Sequence, residues 1–412
     1  MFDIVKCAEK AKLASYEISA LSTADKNRCL FNMADALLKN AEYIISENRL
    51  DCEKAKENGI PDTMIDRLLL DETRINAMAE GIRLVAGLSD PVGDTESKIL
   101  PNGLKVGKMR VPLGLVGIIY ESRPNVTSDA ASLCFKAGNA VLLRGGKEAY
   151  RSNVAIIKVL KEALEKSGVN PDAISFVEDT SHETAEKMMK LNGIIDVLIP
   201  RGGAKLIKTV VNNATVPVIE TGVGNCHIFV DEFADIDMAL EIAVNAKTSR
   251  PSVCNAAESM LVHEKIADEF LPRLKKVFDE KSVEIRGCEK VCSIIDVNTA
   301  TEEDFKTEYL GLCISVKMVS SVGEAISHIN RYGTGHSEAI ITDNYTNSQK
   351  FLAGVDAAAV YVNASTRFTD GFEFGFGAEI GISTQKLHAR GPMGLKELTT
   401  GKYIIYGNGQ VR

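Results

Sequence analysis

The sequence lacks the features that mark several large classes of protein. No apolar run is long enough to span a bilayer, and the longest stretches, such as residues 111–120, contain Gly and Pro. Residues 1–12 mix acidic and basic residues into their apolar ones, so no signal-peptide core is present there. We therefore expect a cytoplasmic protein that does not bind membranes.

Positive charge is also scarce, since 48 Lys and Arg residues face 56 Asp and Glu residues and leave a net charge of −8. This balance makes the chain a poor candidate for wrapping nucleic acid. The cysteines number nine, which excludes a complete disulfide framework and favours reduced thiols. Cys288 and Cys292 form a C-x3-C pair, but no second pair or clustered His completes a metal site.

What remains is an ordinary globular composition, with 45% hydrophobic and 25% charged residues. A length of 412 residues favours two or three domains, at about 150 residues each. The first 90 residues show apolar residues at helical spacing, and residues 62–85 predict one long helix. Residues 97–110 predict a hairpin that turns at 101–103, either as an arm that meets another subunit or as a solvated surface ribbon.

From Leu115 onward, short apolar runs alternate with helical runs, and a last strand-like run at residues 216–220 closes the series, which predicts a parallel sheet with helices on both faces. A second series of the same kind begins near Asn225. Ligands of such sheets bind at the carboxyl ends of the strands. There the chain carries "RGG" twice, at 144–146 and 201–203, where backbone amides can hold phosphate or simply form a tight turn.

The segment "RPSVCNAAE", residues 250–258, places Cys254 on a loop between a predicted helix and a predicted strand. Arg250 nearby would favour the thiolate, which is the reactive form of cysteine. The alternative is a spare buried thiol, which is the interpretation that the other eight cysteines receive.

Several long segments in one order are more specific than any short motif. The chain resembles the gamma-glutamyl phosphate reductase family, within the aldehyde dehydrogenase superfamily, over essentially its whole length. The segments that carry the resemblance are "YESRPNVTSDAASLCFKAGNAVLLRGGKEA", "IPRGGAKLI", "VIETGVGNCHIFVD", "RPSVCNAAE", "TEYLG" and "KLHARGPMGLKELTTGKYI".

The resemblance implies that Cys254 is the catalytic nucleophile, which forms a thioester with the glutamyl group and releases phosphate. It implies that Asn125 and the backbone N–H of the cysteine stabilise the oxyanion. The residue-level alternative is that Asn125 caps the helix beginning near Val126. Glu220 lies 34 residues before Cys254, where hydrolytic relatives carry a general base. A reductase of acyl phosphates needs no activated water, so Glu220 would tune the thiol or orient the loop.

The resemblance also implies a nicotinamide cofactor. Arg144 takes the position of a Lys that binds the adenosine ribose, and Lys147 takes that of a Glu that often selects NAD. Both cations would attract a 2′-phosphate, which favours NADP(H). Arg201, Gly202 and Gly203 match the turn on the pyrophosphate side. Glu308 matches the Glu that holds the nicotinamide ribose.

The implied activity is NADPH-dependent reduction of L-glutamyl 5-phosphate to L-glutamate 5-semialdehyde, the second step of proline biosynthesis from glutamate. Arg123, Arg250 and Arg367 are candidates to meet the carboxylate or phosphate of that substrate, because a guanidinium binds either in two-point fashion. The implied partners are the substrate, further copies of this chain and, as a candidate, the glutamate 5-kinase. Two alternatives remain open: an acylating dehydrogenase that uses coenzyme A, and a nucleotide-binding regulatory or scaffold protein.

The expected fold is α/β and aldehyde dehydrogenase-like, with two Rossmann-like parallel-sheet domains and a small oligomerisation arm. Residues 1–96 and 113–222 would form the NADP-binding domain with its N-terminal helices. Residues 223–384 would form the catalytic domain, with the active site in the cleft between the two domains. Residues 97–112 and 400–412 would form the arm.

Overall fold

The computed structural model describes residues 2–412, without the side chains of residues 62 and 63. The chain divides into two compact units. The first runs to Glu220 and adds Gly375–Gly381 and Met393–Arg412, while the second comprises Thr221–Phe374 and Ile382–Pro392. Each unit contains its own parallel sheet.

Five helices open the first unit. They are α1 (Ile4–Ser19), α2 (Thr23–Lys39), α3 (Ala41–Glu57), α4 (Asp62–Leu68) and α5 (Glu72–Gly87). The single helix predicted over residues 62–85 is wrong, because the chain leaves α4 at Leu69 and starts α5 only after Asp71. The Asp71 side chain accepts a hydrogen bond from the Arg74 amide and so caps the new helix. The buried Asn48 side chain accepts from the Leu70 amide at 2.7 Å, which fixes the break.

The predicted hairpin is confirmed. Strand β1 (Thr95–Ile99) pairs antiparallel with β2 (Lys105–Pro112), and Ile99 stands opposite Lys105 across the turn. The C-terminal strand β16 (Thr399–Tyr406) pairs antiparallel with the other edge of β2, as its strand-like sequence indicates. These three strands form a sheet of their own, which we call the arm.

The parallel sheet of the first unit has four strands in the order β5-β4-β3-β6. Its strands are β3 (Leu115–Tyr120), β4 (Ala140–Arg144), β5 (Ile174–Phe176) and β6 (Val197–Arg201). Its helices are α6 (Asn125–Lys136), α7 (Tyr150–Lys166), α8 (His182–Met189) and α9 (Ala204–Asn213). Residues 216–220, predicted as a further strand, form only an isolated bridge between Val218 and Leu198. That prediction is wrong because one bridge does not extend the ladder.

The second unit is built on seven parallel strands in the order β10-β9-β11-β8-β7-β12-β13. The strands are β7 (Cys226–Val230), β8 (Ala257–His263), β9 (Glu284–Gly287), β10 (Asn298–Thr299), β11 (Cys313–Val319), β12 (Ser337–Ile341) and β13 (Ala359–Val362). The helices are α10 (Ile236–Thr248), α11 (Ala267–Glu280), α12 (Glu289–Cys292), α13 (Val322–Tyr332) and α14 (Tyr345–Gly354). A short antiparallel pair, β14 (Ile382–Ser383) and β15 (Gly391–Pro392), completes the unit.

Alternating residues of the central strands face different helices. Ile228 and Val230 of β7 belong to a core that includes residues of α10 and α11. Phe229, between them, packs with residues of α13 and α14 on the opposite face. Since both faces are covered, the strands are apolar throughout, and this is why they read as continuous apolar runs in the sequence. No helix in residues 2–412 combines the length and the apolar character that a membrane span requires.

Candidate active site

The Cys254 loop, residues 249–256, connects α10 to β8. Cys254 itself is partly buried. Its carbonyl oxygen accepts a hydrogen bond from the fully buried Cys226 thiol, with 3.1 Å between sulfur and oxygen. Gly224 lies directly against the same peptide, because a Cβ on residue 224 would overlap the Cys254 carbonyl. The segment before β7 therefore fixes the backbone of the loop at the cysteine.

Arg367 supports the Cys254 loop from the other side. Its Nε donates to the Ser249 hydroxyl at 3.0 Å, and its guanidinium also binds the Asn255 side-chain oxygen. The Asn255 amide in turn donates to the Thr369 carbonyl at 2.9 Å. Burial, followed by the neighbouring Arg250 guanidinium, lowers the pKa of Arg367. Two cations, Arg250 and Arg367, therefore lie at the loop. Arg367 is held by hydrogen bonds, whereas the exposed Arg250 has none among the described contacts.

Glu308 joins the same group of residues through Gly224. Its Oε1 accepts a hydrogen bond from the Gly224 amide at 2.7 Å. Burial raises the pKa of this carboxyl, while the Gly224 amide and the charge of Lys247 act in the opposite direction. Gly224 thus contacts the Cys254 peptide and binds Glu308, so the structure brings together two residues that were predicted separately.

In the first unit, the end of β4 presents the predicted adenosine-side residues. Arg144 is partly buried, and its Nη2 donates to the Thr180 carbonyl at 2.8 Å. Its Nε is buried and has no hydrogen-bond acceptor among the described residues. Gly145 and Gly146 have no room for a side chain. A Cβ on Gly145 would overlap the Asn153 side chain, and a Cβ on Gly146 would lie 2.8 Å from the Glu148 carboxylate. Lys147 follows them and is exposed.

The turn at residues 201–203 begins at the last residue of β6 and leads into α9, as predicted. Gly203 precedes α9, and its amide donates to Glu121 Oε2 at 2.9 Å. A Cβ on Gly202 would lie 2.6 Å from Glu121 Cδ. The Glu121 carboxylate therefore accepts from an amide of the turn that the resemblance assigns to the cofactor pyrophosphate. A phosphate that binds this amide has to displace the carboxylate.

Asn125 does not cap α6, so the capping alternative is wrong. It is the first helical residue, Pro124 precedes it at the cap position, and no side chain caps the helix. The Asn125 amide donates instead to Asp129 Oδ2 at 3.0 Å, one helical turn on. Desolvation raises the pKa of Asp129 to about 6, against the effects of Asn125 and Arg201. Asp129 thus fixes the orientation of an exposed amide at the end of β3.

Two other predicted residues lie in the first unit, namely the partly buried Glu220 and the exposed Arg123. All nine cysteines are thiols, and six of them, Cys29, Cys52, Cys134, Cys226, Cys313 and Cys7, have pKa values raised by burial. Within residues 2–412, no cluster of His, Cys, Asp or Glu is arranged to hold a metal ion.

Sequence reasoning missed four residues that build these sites: Glu121, Cys226, Lys247 and Glu258. Lys247 and Glu258 are fully buried as an ion pair on either side of the Cys254 loop. Their signal in the sequence is weak, because a Lys near the end of a helix and a Glu at the start of a strand are ordinary surface choices. Glu121 could have been found, since an acidic residue directly follows a buried parallel strand.

Comparison with known proteins agrees with this architecture. The model of the aldehyde dehydrogenase family matches residues 2–290 and 291–403. A protein of Clostridium perfringens (strain SM101), named gamma-glutamyl phosphate reductase, is 62% identical over 412 residues, which are 100% of this chain and 99% of the relative. The crystal structure of gamma-glutamyl phosphate reductase from Thermotoga maritima is 50% identical and has a TM-score of 0.98, with 100% of both chains covered.

A more distant structure shows the fold alone. An engineered glycolyl-CoA reductase with bound NADP+ is 18% identical and has a TM-score of 0.70, covering 97% of this chain and 95% of that one. The predicted α/β fold is thereby confirmed, as is the family resemblance. The chain belongs to the aldehyde dehydrogenase family and, within it, to the gamma-glutamyl phosphate reductases.

Proposed function

We propose that this chain reduces L-glutamyl 5-phosphate to L-glutamate 5-semialdehyde and phosphate with NADPH, through a thioester on Cys254, in proline biosynthesis. The observation that carries the proposal is the full-length identity of 62% to a relative named for this reaction. The construction around Cys254 supports it, because a partly buried thiol lies on a loop that Arg367 and Gly224 hold in place.

The residues present fit a nicotinamide cofactor, the class that aldehyde dehydrogenases use. Arg144 offers a buried Nε that has no acceptor within the described part of the chain, and the side-chain-free Gly145 and Gly146 let the backbone approach a ligand closely. We assign Arg144 and Lys147 to the adenosine ribose and its 2′-phosphate, the turn at 201–203 to the pyrophosphate, and Glu308 to the nicotinamide ribose. NADPH, when bound, supplies the hydride.

In the proposed reaction, the Cys254 thiolate attacks the acyl carbon of glutamyl phosphate, forms a carbon–sulfur bond and expels phosphate with the bonding electron pair. A thioester is a better hydride acceptor than an ester, so it is suited to the reductive step. After reduction, the thiohemiacetal on Cys254 gives up its carbon–sulfur bond and releases the aldehyde and the thiol. We propose the Cys254 N–H and the Asn125 amide as donors to the oxyanion.

Three further roles remain proposals. Glu220 would tune the thiol or orient its loop, since phosphate takes the place of the activated water of hydrolytic relatives. Arg123, Arg250 and Arg367 would meet the anionic ends of the substrate. Arg250 suits direct contact best, because it is exposed, whereas Arg367 is tied to Ser249 and Asn255. The kinase that makes the substrate is proposed as a partner, and the cytoplasm as the location.

We also propose that the chain forms a homo-oligomer through the arm. Four of its large apolar side chains are widely exposed, a composition typical of an interface. The exposed fractions are 75% for Ile99, 65% for Tyr403, 60% for Ile405 and 64% for Tyr406.

The oligomeric state tests the role of the arm. Sedimentation equilibrium should give a mass of at least a dimer, and the double variant Tyr403→Asp with Ile405→Asp should lower that mass. A wild-type monomer would contradict the proposal.

Replacing the nucleophile tests the reaction. With glutamate 5-semialdehyde, NADP and phosphate, the wild-type chain should reduce NADP at a rate that depends on phosphate. Cys254→Ala should lower kcat by about a thousandfold or more, because it removes the thiol on which the proposed acyl intermediate forms. The matched control is Cys288→Ala, a partly buried cysteine at the start of α12, which should keep wild-type activity. Turnover with coenzyme A but not with phosphate would favour the acylating alternative.

Reversing the charge of Lys147 tests the cofactor assignment. Lys147→Glu should lower kcat/KM for NADP by about ten- to hundredfold, since a charged hydrogen bond is worth about 1.5–3 kcal/mol. The value for NAD should change much less, because NAD has no 2′-phosphate to repel. Lys158→Glu, which alters an exposed Lys on α7, is the control and should leave the preference unchanged. Equal decreases in kcat/KM for NADP and NAD would show that Lys147 does not bind the 2′-phosphate.

A further inference from the structure

Lys247 and Glu258 lie on either side of the Cys254 loop in the chain and bind each other. Lys247 is the penultimate residue of α10, and Glu258 is the second residue of β8. Their side chains form an ion pair in which neither has measurable solvent exposure. The pair therefore ties the beginning of the loop to its end.

Stability alone does not account for a buried pair of this kind. Removing two charges from water costs free energy, and replacing such a pair with apolar residues is often neutral or stabilising. The cost is visible at both residues, because desolvation raises the pKa of Glu258 to about 7 and lowers the pKa of Lys247. A group bound to the second oxygen of Glu258 would explain why an acceptor side chain, and not an apolar one, occupies this buried position.

That group is the backbone of Leu310. Its amide donates to Glu258 Oε1 at 3.1 Å, while Oε2 is occupied by Lys247. Leu310 has a φ of 54°, in the left-handed region that L-residues other than Asn and Asp seldom adopt. Its side chain is 45% exposed, so packing does little to hold this conformation. The hydrogen bond to Glu258 is the contact that secures it.

The two residues before Leu310 are anchored as well. Glu308 accepts from the Gly224 amide at 2.7 Å. The Tyr309 hydroxyl donates to Asp304 Oδ1 at 3.0 Å, and its ring lies 5.9 Å from the Lys247 ammonium. Residues 308–310, which we call the ribose segment, are thus held at three consecutive positions.

We propose that Glu258 is a positioning residue, which holds the ribose segment, and with it Glu308, beside the Cys254 loop, while Lys247 compensates its buried charge. The inference rests on the proposed function, in which Glu308 holds the nicotinamide ribose. One carboxylate is shared by both parts, since Oε2 closes the base of the loop and Oε1 binds the segment. Lys247 compensates the buried charge of Glu258. Its charge also acts to lower the pKa of Glu308, against the effect of burial.

A pair of double variants separates positioning from stability. Lys247→Met with Glu258→Gln removes both charges but keeps a side-chain oxygen that can accept from the Leu310 amide. Lys247→Met with Glu258→Met has a similar shape and lacks that oxygen. The Gln variant should keep the wild-type KM for NADP and Kd for NADPH, whereas the Met variant should raise both by about tenfold or more. The Kd is measured by fluorescence titration, so this comparison does not depend on turnover.

The control removes another buried pair, that of Lys26 and Asp90, whose side chains are 2% and 5% exposed. Lys26→Met with Asp90→Asn should lower the thermal midpoint and leave the KM unchanged. If the Glu258→Met variant does not fold, Tyr309→Phe replaces it, since it removes one anchor of the ribose segment without burying a charge, and should also raise the Kd.

Equal Kd values for the Gln and Met variants, or an unchanged Kd in Tyr309→Phe where that variant is needed, would overturn the inference. Failure of the proposed function is a separate result. A wild-type chain that binds NADPH but shows no phosphate-dependent turnover would contradict the reaction, while the Kd comparison would still decide the role of Glu258.

Discussion

The packing of the Cys254 loop in the second unit depends on the absence of a side chain at residue 224. Any Cβ there would overlap the carbonyl oxygen of Cys254, so only glycine lets the segment before β7 pack against the Cys254 loop. The same residue donates its amide to Glu308, and two residues later the Cys226 thiol donates to the Cys254 carbonyl. One close backbone approach thereby fixes the proposed nucleophile and the proposed ribose ligand against a single strand end.

The charged residues are also distributed according to the proposed sites. The chain carries a net charge of −8, yet cations lie at the positions proposed to meet anions: Arg144 and Lys147 at the end of β4 and just beyond it, and Arg250 and Arg367 at the Cys254 loop. Three acidic groups at the proposed sites have structural partners. Asp129 accepts from the Asn125 amide, Glu258 binds Lys247 and the Leu310 amide, and Glu121 binds the Gly203 amide. Of these, Glu121 is the one that a bound phosphate would have to displace.

The sequence predicted the strands and most helices because burial on both faces of a parallel sheet leaves continuous apolar runs, such as Leu115–Tyr120. It also placed Cys254 on a loop, and Arg144 and Lys147 at the carboxyl end of a strand; in the structure Arg144 is the last residue of β4 and Lys147 begins a short 3₁₀ turn after it. It did not predict the break between α4 and α5, because Asn48 fixes that break from 20 residues away in the chain. Lys247 and Glu258 were not predicted for a similar reason, because a buried charge can be recognised only when its partner is known to lie beside it.

If Cys254 carries the glutamyl group as a thioester, the acyl-enzyme can be trapped and detected on that residue. When the enzyme oxidises glutamate 5-semialdehyde with NADP in the absence of phosphate, the acyl group has no acceptor and should remain on the sulfur, with one NADPH formed per site. Mass spectrometry of the digested protein should then find the glutamyl adduct on the peptide that contains Cys254, and phosphate should remove it. NADPH formed without any adduct, or an adduct on a different cysteine, would contradict the account.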